Sequence, residues 1–225
     1  MNSLKLIAVL AAKDLLIEYR TRQAFFTTLF FGVLILIIFN FAFDPGSKSI
    51  QDAKPGILWV SLLFPGIIQL NRSFQTEREN GTFYGLILSP IDRGLLFLGK
   101  FLANWIFLFL LDVVIFGFFI IFYNVTMTVT TLWMIVLLVL VGIVYASVGT
   151  LFAAMVSDVR IRDVLLPILL FPILVPVVIA AVNATRELVV LNQVEFFYTW
   201  LKLLIGCDIV FVASSYLVFE YIVSE

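Results

Sequence analysis

Hydrophobic residues along this chain fall in long unbroken runs separated by short polar stretches, without the alternation of a half-buried strand. About twenty apolar residues cross a bilayer as a helix, and six runs approach or exceed that length. They are Ala24–Phe43, Gly56–Leu70, Phe101–Tyr123, Leu132–Val156, Val164–Val182 and Leu203–Val223. The second is short, but Arg72 can extend it by reaching back to the headgroups, and Pro65-Gly66 inside it should loosen the helix. An outer-membrane barrel would show apolar and polar residues in alternation. The pattern therefore predicts an all-α, polytopic membrane protein with six transmembrane helices in a single domain spanning residues 1–225.

Residues 1–22 have a different pattern. Leu6, Leu10 and Ile17 share a helical face, with Lys13 close to it and Lys5, Asp14, Glu18, Arg20 and Arg22 around it. This predicts a helix lying along the membrane surface, Glu18 and Arg20 among its polar residues, ahead of the first span. A charged lead-in to that span is the alternative. The apolar run Leu6–Ala12 is short for a signal peptide and is followed by charge, so a mature N-terminus is expected.

Composition agrees: of 225 residues, 63% are hydrophobic and 13% charged, against about 25% charged in soluble domains. Too few polar side chains remain to cover a water-exposed surface. Charge also sets orientation. With the N-terminus inside, Lys5, Lys13, Arg20, Arg22, Arg72, Arg78, Arg93, Lys100, Arg160 and Arg162 are cytoplasmic, and Lys48, Lys54, Arg186 and Lys202 lie on the other side. Both termini are then cytoplasmic. No Lys/Arg run points to nucleic acid, and no GxxxxGK[ST] loop is present to cradle nucleotide phosphates. Histidine is absent, which removes the commonest metal ligand and general base. The lone Cys207 forms no internal disulfide or CxxC site, and no metal site is expected.

The longest polar interruption, residues 71–93, carries its own structural signals. A charged helix continues from Phe74 to Asn80, where Gly81 stops it. Thr82 then caps a very short helix, Phe83–Leu88, with Phe83, Leu86 and Ile87 apolar. Ser89-Pro90-Ile91-Asp92 reads as a fresh start, Ser89 as cap and Pro90 in the first helical position. A helix of one or two turns is unstable alone and persists when something packs on it. Its apolar knobs and flanking acids suit a groove on another protein.

Inside the spans, Asp112 and Asp208 are expensive in lipid, at least roughly 2.5–3.5 kcal/mol on insertion scales. They are candidates for a pathway lining, or static interior residues. Pro167, Pro172 and Pro176 should bend the fifth span, as a mobile hinge beside a route or as a fixed kink. Gly142, Ala146, Gly149 and Ala153 form a face of small residues for close helix contact, within the subunit or between two copies.

ERENGTFYGLILSP resembles the coupling segment of ABC-2-like exporter permeases at Glu77, Glu79, Gly81, Thr82, Leu86, Ser89 and Pro90. KDLLIEYRTR, PGILWVSLLFPGIIQLNRSF and VRIRDVLLPILLFPILVPVVIAA extend the resemblance over nearly the whole chain to CcmB, the permease family of cytochrome c maturation. The resemblance implies ATPase coupling through Glu77, Glu79, Gly81, Thr82, Phe83, Leu86, Ile87, Ser89 and Pro90, with no catalysis by this chain. It further implies a bacterial inner-membrane location, a CcmA-like ATPase dimer that holds the ATP, CcmC-like and CcmD-like membrane subunits, a CcmE-like haem chaperone and two copies of this chain. Haem is then cargo of the complex, with no cofactor held here. Another cargo (lipid, glycan or drug) is the alternative, and an intramembrane enzyme using Asp112 and Asp208 a remoter one.

Overall fold

A computed structural model describes residues 3–43, 47–79, 92–157, 159, 161–191, 194 and 196–222. The described residues form seven α-helices: α1 (Ser3–Thr21), α2 (Gln23–Ala42), α3 (Lys48–Glu79), α4 (Arg93–Phe122), α5 (Val129–Val156), α6 (Arg162–Thr185) and α7 (Phe197–Ile222). Six of them, α2 to α7, are long and apolar enough to cross a membrane, as the run pattern predicts. The protein is a multi-pass helical membrane protein.

The helices outrun the apolar stretches. The second span, legible as residues 56–70, is part of a 32-residue helix that begins before Pro55 and carries on to Glu79. Backbone groups leaving the hydrocarbon continue their hydrogen-bond ladder when the next residues are good helix formers, as Gln75, Glu77, Arg78 and Glu79 are. The expected polar loop over residues 183–200 is shorter than its composition suggests. α6 runs to Thr185 and widens into a π turn over Arg186–Val190, closed by Leu191 N donating to the Arg186 carbonyl at 3.0 Å. Leu188 in that turn is buried, and its packing explains why a polar stretch stays helical.

A single residue separates α1 from α2. Arg22 sits in the left-handed region at φ 51°, and its carbonyl already accepts from Phe26 N at 3.1 Å. The chain therefore turns within one residue from α1 into the first span. α1 packs along α4 through Ile7, Leu10 and Ala11, while Leu4, Val9, Leu16 and Tyr19 stay exposed. Gly99 permits that approach: a Cβ there would lie 2.6 Å from Leu10 Cβ.

α5 occupies the middle of the bundle, packed by α3, α4, α6 and α7. Its small-residue face is buried within this one chain, so close packing inside the subunit accounts for it. Gly149 lies against Leu70 of α3, and a Cβ added at Gly142 would lie 3.4 Å from the Trp105 indole of α4. Buried polar groups stitch the layers: Tyr145 Oη donates to the Leu63 carbonyl at 2.5 Å, and Trp59 Nε1 to Thr185 Oγ1 at 2.9 Å. Thr128 and Thr131 form a capping box at the start of α5.

The two glycines differ in the room around them. Gly149→Ala should destabilise the detergent-solubilised protein by about 1–3 kcal/mol, the usual cost of overpacking, and Gly142→Ala by much less. Thermal unfolding of the two variants measures the difference. Equal effects would show that Leu70 moves aside freely.

Candidate functional site at the base of the polar segment

The cytoplasm-assigned polar segment, residues 71–93, is held by the C-terminal part of α3 and the N-terminal part of α4. Glu77 and Glu79 fall in the last turns of α3, their side chains outside the described residues. Gly81, Thr82, Phe83, Leu86, Ile87, Ser89 and Pro90 lie outside the described residues altogether. The described α4 starts at Arg93 with Asp92 as its cap: Asp92 Oδ1 accepts from Gly94 N at 2.8 Å. An acid at this position also faces the positive end of the helix dipole. The Ser89-Pro90 start read from sequence lies outside the described residues.

Seven residues into α4, about 10 Å of helix at 1.5 Å per residue, Lys100 is buried at 3% exposure. Its ammonium is 3.0 Å from Asp14 Oδ2 of α1 and 5.1 Å above the Phe74 ring of α3. One side chain thus holds three helices: α1 by charge, α3 by cation–π contact, and α4 by its own backbone. Asp14 is shared with the more exposed Lys13, whose Nζ lies 3.2 Å from Oδ1. One turn further along α1, Glu18 accepts from Gln69 Nε2 of α3 at 2.8 Å. One turn deeper on α4, Asn104 donates to Thr150 Oγ1 of α5 at 2.9 Å.

These residues surround a small cavity of about 50 Å³, lined also by Arg72 and Ser73. Gln69 Oε1 is buried without a hydrogen-bond partner. Among the described residues no group of three or more Asp, Glu or Cys side chains could hold a metal ion. The cluster is a joint between three helices, built from charge, a cation–π contact and hydrogen bonds. α3 and α4 emerge on either side of the polar segment, and the joint binds both of them to α1.

Of the other residues singled out in the sequence, Arg20 lies exposed on α1. Pro172 and Pro176 are on the exposed face of α6, and Pro167 is half-buried beside Arg72 at a groove between α2, α3 and α6. α6 stays helical through all three prolines. Asp112 of α4 and Asp208 of α7 are both buried, yet neither is hydrogen-bonded to the other. Both oxygens of Asp208 are buried without a partner. The structure does not join these carboxylates into a pair.

Sequence reasoning counted Lys100 as an orientation charge and Asp14 as part of an amphipathic face, and so missed their pairing. One signal was available: a lysine next to a glycine, seven residues inside a span's helix, needs a counter-charge delivered by a closely packed neighbour.

A family profile described as CcmB protein matches residues 5–220. The chain belongs to the CcmB family. Among curated members, the Heme exporter protein B of Pseudomonas aeruginosa is 27% identical over 180 residues, 80% of each chain. That of Haemophilus influenzae is 26% identical over 174 residues, covering 75% of this chain and 76% of the relative. That of Rhodobacter capsulatus is 27% identical over 178 residues, 79% and 81% respectively. The CcmB match spans all six membrane helices and the joint, so the joint belongs to the family domain.

Removing one partner of a buried pair strands the other charge. Asp14→Asn should lower stability by about 2–3 kcal/mol, below the roughly 3–5 of a fully enclosed pair because Asp14 keeps some solvent contact. The double variant Asp14→Leu/Lys100→Met should recover most of that loss. Denaturation of the three proteins in detergent checks both values. A double variant no better than Asp14→Asn would show that the pair is not the source of the effect.

Proposed function

We propose that this chain is the permease subunit of an ABC-type complex that moves or releases haem for c-type cytochrome biogenesis. The names of its CcmB-family relatives, Heme exporter protein B, support the cargo. A partner ATPase dimer of CcmA type binds and hydrolyses ATP, two copies of this chain dock on it through residues 71–93, and this chain catalyses no reaction itself. CcmC-like and CcmD-like subunits and a CcmE-like chaperone complete the assembly in the inner membrane, both termini of this chain being cytoplasmic. Lack of histidine fits a subunit that transmits force while other subunits hold the haem iron.

The observation that carries this reading is the Lys100 contact with both Asp14 and Phe74. Movement imposed on residues 71–93 reaches α3 and α4 together, because a buried ammonium cannot leave its carboxylate without a large desolvation cost. α1 moves with them, and Asn104 passes the displacement to α5. Glu77, Glu79, Gly81 and Thr82 of the segment supply the docking chemistry. Pro167 of α6 borders the groove beside Arg72, so α6 feels the same movement, while Pro172 and Pro176 shape its outer face.

In the assembled complex, Glu79→Ala or Gly81→Leu should leave membrane insertion and partner ATPase turnover intact and lower cytochrome c assembly at least about tenfold, the loss from roughly 1.4 kcal/mol of coupling. Normal assembly of c-type cytochromes in both variants refutes the coupling role. Affinity purification of the chain should bring down an ATPase and the haem-handling subunits. Recovery of an ATPase with lipid- or glycan-handling partners instead would assign a different cargo.

A further inference from the structure

A second polar pocket lies at the end of the bundle opposite residues 71–93. The C-terminal ends of α2 and α4 meet the first turns of α3 there, around a cavity of about 170 Å³ lined by Asn40, Gln51, Lys54, Phe122, Tyr123 and Asn124. Lys54 is 8% exposed, and no carboxylate or carbonyl among the described residues pairs with its ammonium. Neighbouring acceptors are already engaged. Asp52 faces Arg186 at 3.9 Å. The Phe122 carbonyl accepts from Asn40 Nδ2 at 3.0 Å, and the Leu36 carbonyl from Tyr123 Oη at 2.9 Å. The Phe119 and Ile120 carbonyls accept from the backbone N–H groups of Tyr123 and Val125 at 3.0 and 3.1 Å. The end of α4 is thus capped by its own turn and by Asn40, while the N-terminal turns of α3 bring the positive end of a helix dipole to the same pocket.

Lys54 is thus an enclosed lysine on a cavity wall without a charge partner among the described residues, and such a lysine calls for an anion. We propose that this pocket is an oxyanion site that takes one carboxylate or phosphate group, with Lys54 as its charge partner and the carboxamides of Gln51 and Asn124 as neutral donors. The cavity accommodates the anionic group alone, so the body of the ligand stays in the bilayer or in water. A lipid phosphate and a soluble anion share this chemistry, and the experiment separates them.

Full-length protein and Lys54→Met are placed in phosphatidylcholine nanodiscs, and unfolding is followed at matched ionic strength with chloride, with inorganic phosphate, with hexanoate, or with phosphatidylglycerol in the bilayer. An anion at about ten times its Kd should raise the unfolding temperature of the unmodified protein by about 3–5 °C and leave Lys54→Met unmoved. A response to phosphatidylglycerol assigns a lipid headgroup, and a response to phosphate or hexanoate assigns a soluble ligand. Equal shifts in both proteins, or no shift in any arm, overturn the site. If Lys54→Met does not fold, reductive methylation of the unmodified protein decides. The anion should slow labelling of Lys54 about tenfold at that saturation while exposed Lys48 is unaffected, and an unchanged Lys54 rate overturns the proposal.

Discussion

A lysine placed inside a membrane bundle has to be neutralised where it stands, and the arrangement of the end of this protein that carries residues 71–93 follows from that need. Lys100 enters the interior as α4 enters the bundle, and Asp14 lies 3.0 Å away on α1, which is not among the helices long and apolar enough to cross a membrane. The ion pair therefore fixes α1 against α4, and Gly99 lets the two backbones come close enough for it. Phe74 of α3 gives the ammonium an aromatic face as well. Asp14 also meets Lys13, which is half-exposed, so the pair keeps one edge toward water. This position suits a joint that must hold firmly while its surroundings move.

The remainder of the bundle obeys the bilayer as solvent. Association of helices in lipid gains nothing from hydrophobicity alone, and relies on close packing and interhelical hydrogen bonds. α5 shows both: small residues let Leu70 and Trp105 seat against it, and Tyr145, Thr150 and their partners bond across helices at its buried faces. α2 and α7 by contrast present large apolar side chains outward, such as Phe26, Phe30, Ile209 and Leu217. The bundle thus has a closely packed centre and a lipid-facing periphery.

Class and span number were legible because apolar runs of spanning length have no other solution in an α-helical chain. The polar segment stands out in the sequence because its punctuation, Gly81 and Ser89-Pro90, is local chemistry, and those residues lie outside the described ones. Helix ends were less readable. Composition marked residues 183–200 as a loop, but Leu188 finds a buried position and the chain stays helical through Arg186–Val190. At the start of α4, Asp92 caps the described helix, a residue type that accepts well from backbone N–H groups.

The sequence by itself determined that this chain is a six-span helical membrane protein of the CcmB kind with a polar segment between its second and third spans, because hydropathy and turn chemistry act over a few residues. Tertiary structure alone decided which charges meet. Asp14 and Lys100 are 86 positions apart, and no local pattern links them. Lys54 was likewise counted as one of four outward charges, whereas folding buries it without a partner. Charge in a sequence is a property of one residue, but its energy depends on what the fold places within a few ångströms.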